Sequence, residues 1–188
     1  MKSILISIHP KWCELIANGK KTIEVRKTKP NIETPFKCYI YCTSVKSLTL
    51  GEYVKVHQKT CGKIDDWNEK VISEFVCDGI DTYDDDTIHS FSNEDYCRWN
   101  DFDLNRSCIH PEDFENYAND KWLYGWHISD LKIYDKPKEL SEFKKAGFMS
   151  EEVWLAALYP NTHCHYEAWA KKFEIARPPQ SWCYVEEI

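Results

Sequence analysis

Apolar positions in the first part of the chain switch between two rhythms, and the switches mark out elements. Ile4 to Ile8 is a run of mostly β-branched residues and predicts a buried strand. His9-Pro10 ends it. Trp12, Leu15 and Ile16 then recur at helical spacing and predict a short helix from Lys11 to Asn18, with Gly19 placed to stop it in a left-handed conformation. Thr22 to Lys27 and Phe36 to Thr43 predict the second and third strands, joined through the turn-rich Lys29-Pro30 and Thr34-Pro35.

Beyond this the rhythm is less regular. Residues 44–69 are mixed and polar and read as a loop excursion. Lys70 to Cys77 predicts a strand, with Ile80 to Tyr83 as its continuation, and Asp84-Asp85-Asp86 reads as a solvated turn. Helices are predicted from Ser92 to Trp99 and from Pro111 to Tyr117. Trp122 to Tyr134 reads as one long strand bulged at Gly125, followed by a helical turn at Pro137 to Leu140. Helices from Ser150 to Leu158 and His163 to Phe173, and a closing strand from Ser181 to Glu186, complete the pattern. Strands and helices do not alternate strictly, so the fold class is α+β with a mainly antiparallel, curled sheet. A single domain spanning 1–188 is expected, with helical insertions at 84–121 and 141–177.

Charge changes this picture more than composition does. The net charge is −7, but residues 1–63 hold 12 Lys/Arg against 4 Asp/Glu, and residues 64–188 hold 12 against 27. A basic first third beside an acidic remainder fits one local anionic partner better than a general polyanion surface. No run is long and apolar enough to span a bilayer, and no signal-peptide pattern opens the chain, so a cytoplasmic protein is expected. Nine cysteines, an odd number, then read as buried small hydrophobes rather than a disulfide framework. Cys38 and Cys42 on one strand face would lie about 13 Å apart, too far for one zinc ion. His163-Cys164-His165 fans out if helical. No metal site and no cofactor are expected.

The chemistry concentrates in Asn18-Gly19-Lys20-Lys21-Thr22-Ile23-Glu24-Val25-Arg26. Strand alternation puts Thr22, Glu24 and Arg26 on one face and Ile23 and Val25 on the other. A structural reading makes Glu24–Arg26 an internal ion pair with exposed lysines beside it. A functional reading makes them a polar pocket for a planar ligand. Arg26 could fork onto a phosphate or a base edge. Glu24 could accept from an exocyclic amine, and Lys21 could meet a phosphate or act as a base. Trp12, Trp126 and Trp182 are candidate stacking rings, Trp182 foremost because Pro178-Pro179 leads into it. Lys11 follows His9-Pro10 at a helix N-terminus, a natural anion site.

Gly19, Lys21, Glu24 and Arg26 match Gly-x-Lys-x-x-Glu-x-Arg, and the chain resembles the ASCH domain of the PUA-like superfamily. The resemblance implies a barrel-like sheet with a cleft beside the first helix, and binding of RNA, a nucleotide or a modified nucleoside. Some small ASCH proteins are amidohydrolases acting on N4-acetylcytidine through the motif lysine, a threonine and a distant glutamate. Lys21 matches that lysine, but Glu24 stands where they have threonine; Thr22 is at another position, and Glu94, in a helix predicted within the first insertion, is the candidate for the glutamate. This shifts the expectation from catalysis to binding. A third reading is a protein-interaction adaptor using the acidic helical segments. Oligomeric state is not legible.

Overall fold

A computed structural model describes residues 2–91, 104–157 and 163–187. Two sheets form the framework. The larger contains β1 (Lys2–Ile8), β3 (Phe36–Cys42), β4 (Val71–Cys77), β7 (Ser129–Lys138) and β8 (Trp182–Glu186), in the order β7-β4-β3-β1-β8. The smaller has the order β2-β6-β5, formed by β2 (Ile23–Arg26), β5 (Ile80–Tyr83) and β6 (Leu123–His127). Among the described residues only β1 and β3 pair in parallel, and the other neighbouring strands are antiparallel. The chain is therefore α+β with a mixed, curled sheet system, as its pattern predicts, although the described strands do not close a barrel.

The apolar runs of β1 and β3 reflect burial on both faces. Ile4, Ile6, Ile8, Cys38, Ile40 and Cys42 point into one core with α1 (Pro10–Ala17), which contributes Cys13 and Ile16. Leu5, Tyr39 and Tyr41 point the other way and meet Phe143, Ile175 and Val185. A third cluster joins Ile23 and Val25 of β2 to Tyr83, Leu123, Phe114 and Leu104. The segments 84–121 and 141–177 thus supply side chains to the second and third of these cores.

Five expectations need correction. Residues 44–69 are not a loop: they hold α2 (Leu50–Lys59) and α3 (Lys63–Trp67). Thr49 and Glu52 form a reciprocal capping box that starts α2. Asp84-Asp85-Asp86 is not a turn but opens α4 (Asp85–Phe91), Asp84 accepting from the Thr87 amide at 2.9 Å. Ile80–Tyr83 does not continue β4 in its sheet; the chain crosses to the smaller sheet at Asp78-Gly79. Nor is there one strand from Trp122 to Tyr134. The chain changes sheets at Ile128, whose amide bonds the Thr22 carbonyl at 2.9 Å.

Gly125 does not mark a bulge. It lies in register between Val25 and Asp81, and a Cβ there would meet the Tyr83 hydroxyl at 2.6 Å and Ile23 Cγ2 at 3.0 Å. The glycine is required by close approach. The expected helix from Ser92 to Trp99 lies outside the described residues. The helix after Pro111 is α5 (Pro111–Ala118); α6 (Glu151–Ala157) and α7 (His163–Ala170) follow.

Candidate functional site

Lys21, Glu24 and Arg26 come together at the edge of the smaller sheet. β2 turns Ile23 and Val25 into the core, so alternation carries Glu24 and Arg26 to the opposite face. Glu24 sits between the two cations. Its Oε1 lies 3.0 Å from Arg26 Nη2, and its Oε2 lies 3.3 Å from Lys21 Nζ. All three are buried, Lys21 at 2% exposure, Glu24 at 5% and Arg26 at 8%.

Each cation also holds a distant piece of chain. Lys21 Nζ donates to the Ser107 carbonyl at 2.7 Å, and Arg26 Nη2 donates to the Ser7 carbonyl at 2.7 Å. Arg26 Nη1 reaches Ser181 Oγ at 3.4 Å. The structural reading of this motif is thus half correct: the Glu24–Arg26 pair is internal, but Lys21 is buried with it rather than exposed.

The trio lines a cavity of about 610 Å³. Trp12 of α1 forms part of one wall, with Lys21 Nζ 5.1 Å from its ring centre. Asp113 and Tyr117, one helical turn apart on α5, form part of another, and Pro178, Pro179 and Gln180 contribute to a third. Two buried polar atoms of lining residues have no hydrogen-bond partner, Glu24 Oε2 and Arg26 Nε. The Lys21 ammonium is close to that oxygen but out of hydrogen-bonding alignment, its short bond going to Ser107. An acceptor and a donor without hydrogen-bond partners therefore lie buried in the wall of the cavity, behind its surface. Leaving a buried polar group without a hydrogen bond costs ~1–3 kcal/mol, offset at Glu24 by the Lys21 ammonium 3.3 Å away.

His9 lines the same cavity and caps α1. Its Nδ1 accepts from the Lys11 amide at 3.4 Å, and its Nε2 lies 2.9 Å from Ser47 Oγ. Ser47 already donates to the Ser44 carbonyl at 2.7 Å, so the imidazole must donate from Nε2 and accept at Nδ1, which makes it neutral. Burial lowers its pKa accordingly. Burial also raises the Tyr117 hydroxyl pKa, opposed by Arg26 and reinforced by Glu24.

The other sequence candidates fall elsewhere. Lys11 is exposed, with its ammonium 4.8 Å over the Trp12 ring. Trp182 is not among the lining residues; it packs against Trp126 at 5.8 Å and its indole N–H donates to Thr28. Trp126 is fully buried against Phe36. Thr22 accepts from Arg106 at 3.2 Å. Cys38 and Cys42 are core residues. Glu94 and the side chains of His163, Cys164 and His165 lie outside what is described. Sequence reasoning missed Ser107, Asp113 and Tyr117. The Pro111 helix start was readable, but nothing in the sequence points that helix at β2.

The family model described as the ASCH domain matches residues 6–178. The ASCH protein of Zymomonas mobilis is similar in structure, with a TM-score of 0.53 at 16% identity over 98% of this chain and 88% of that one. Two point variants of that protein give TM-scores of 0.54 and 0.55, at 16% and 13% identity, over 92% and 89% of their chains and 100% and 98% of this one. At such identity the likeness speaks to fold alone. No curated protein matches.

Proposed function

This chain belongs to the ASCH domain family, and on that premise we propose that its cavity binds a nucleobase, as a nucleoside or within RNA. The supporting observation is a cavity of about 610 Å³ that Trp12 and Tyr117 line together with Lys21, Glu24, Arg26 and Asp113. A carboxylate and cations together among the lining side chains suit the mixed donor and acceptor edge of a heterocycle. Aromatic walls suit its faces. Arg26 is not a free phosphate fork in this reading, because both of its terminal nitrogens are already engaged.

Binding is favoured over amidohydrolase chemistry. Lys21 donates to a carbonyl and faces a carboxylate, which commits its amine to holding two walls together. The adaptor reading loses ground as well, since α5, in the acidic segment 84–121, lines the cavity.

Tyr117 is the cleanest probe, being 39% exposed at the cavity wall. Tyr117→Ala should cost ~1–3 kcal/mol of stacking, roughly 5- to 150-fold in affinity, with little change in melting temperature. Calorimetric titration with the ribonucleosides checks this. Unchanged affinity in a folded variant would sink the proposal.

A further inference from the structure

The first turn of α1 carries one wall of the cavity, and a single side chain completes it. Pro10, at the first helical position, has no amide hydrogen. The amides of Trp12 and Cys13 both donate to the His9 carbonyl, at 2.9 and 3.1 Å. The Lys11 amide is the one served by the His9 ring, through Nδ1 at 3.4 Å. Trp12 stands on this turn, and Trp12 and His9 both line the cavity.

This cap needs a neutral ring. Nε2 donates to Ser47 Oγ, so a second ring proton would sit on Nδ1 and face the Lys11 N–H. Donor would meet donor, and the amide would lose its acceptor. Two charged groups act on the ring. Glu52 of α2 favours the imidazolium, and Lys11 of α1 opposes it. Both bonds that Glu52 makes to Thr49 use Oε2, so its other oxygen is available to a charged ring. Burial outweighs Glu52 and holds the His9 pKa below the usual histidine value. Lys21 and Arg26 stand against Glu24 and Asp113 among the described lining residues, so a charged His9 would leave the wall cationic.

From this we infer that His9 is a proton switch for the cavity: the neutral ring caps α1 and holds Trp12 in the wall, and protonation frees that turn and weakens ligand binding. The ligand part rests on the base-binding role proposed above. The switch has two discrete states because the ring has two alternative partners, the Lys11 amide when neutral and the Glu52 carboxylate when charged. Linkage makes the effect reciprocal. A ligand that needs the neutral ring lowers its proton affinity, so binding releases a proton.

Two measurements test the switch. Nuclear magnetic resonance on the unliganded protein would follow the His9 ring and the hydrogen-exchange protection of the Lys11, Trp12 and Cys13 amides between pH 7.5 and 5.5. Protection, corrected for the intrinsic pH dependence of exchange, should fall as His9 takes up its proton, with a midpoint below about 6.5. It should stay level in His9→Asn, which keeps a capping oxygen without the proton. Calorimetry with adenosine, guanosine, cytidine and uridine should show wild-type affinity lower at pH 5.5 than at pH 7.5 by roughly fivefold, the scale of one helix cap. In His9→Asn the ratio between the two pH values should be close to unity. Amide protection that ignores the His9 titration, or that falls equally in His9→Asn, would overturn the switch. So would nucleoside affinity that stays flat across this range in the wild type. Nucleosides that fail to bind at either pH, while amide protection still follows His9, would remove the base-binding role and leave the switch standing.

Discussion

Glu24→Gln is the sharpest perturbation of this structure, because it changes charge at nearly constant shape. Among the described residues Glu24 is the one carboxylate in contact with two buried cations, at 3.0 and 3.3 Å. At an effective dielectric of about 20, each contact carries roughly 5 kcal/mol of Coulomb attraction. Desolvation of the carboxylate offsets a large part of this, and the Ser7 and Ser107 carbonyls keep some hold on the cations. Breaking a buried charge network by removing one partner then costs about 3–5 kcal/mol. For a chain of this size that corresponds to a melting temperature lower by roughly 6–20 °C. Urea unfolding followed by circular dichroism gives the free energy directly. Lys21→Met should cost less, since Glu24 would keep Arg26 as a partner, and the double variant should be less destabilised than the sum of the singles. A loss below about 1 kcal/mol for Glu24→Gln, with native spectra, would refute the reasoning. It would mean that cavity water solvates the cations and that the trio does not hold the walls.

Gly125→Ala should cost about 1–3 kcal/mol through overpacking, because the new methyl would press on Tyr83, which packs edge-on against Phe114 of α5; denaturant titration reads it. His9 should make stability fall below about pH 6.5. Its folded pKa lies under the usual histidine value, so the unfolded chain takes up a proton before the folded one, and the stability held above the unfolded pKa is lost as pH drops through that window. His9→Asn keeps a capping acceptor without the titration, so its stability should vary less between pH 7.5 and 5.5. Thiol titration with Ellman's reagent should leave Cys13, Cys38, Cys42 and Cys77 unreacted until denaturant is added. All four are buried, and burial raises the Cys77 pKa to about 12; rapid native labelling of these positions would contradict the packing.

Local rules wrote some elements openly into the sequence and hid others. β1 and β3 are legible because both of their faces are covered, so nearly every residue is apolar. In β2 the alternation alone separates Ile23 and Val25 from Glu24 and Arg26. α2 is hard to see because only Val56 is buried along it, and the polar face drowns the period; its start signal, Thr49 three residues before Glu52, is nevertheless present. The division between β6 and β7 leaves no mark, because Ile128 continues the apolar pattern while its amide still extends the β2–β6 pairing and the next residue starts β7 in the larger sheet. The site divides in the same way. Charged side chains advertise themselves, as Lys21, Glu24 and Arg26 do. The Ser7 and Ser107 partners are carbonyl oxygens, which every residue has, so no residue type betrays them.

The hydrogen bonds that frame the cavity have a consequence for how the protein is made. Lys21 is tied to Ser107, Arg26 to Ser181, and Ser7 Oγ to the Pro179 carbonyl at 2.6 Å. The motif leaves the ribosome early, long before its partners exist. Until segment 178–186 has been synthesised, Arg26 and Glu24 stand beside an open sheet edge, where β1 awaits β8. Closure of the cavity therefore arrives late and abruptly during translation. A nascent chain that has stalled short of β8 carries every residue of the signature and none of the enclosure.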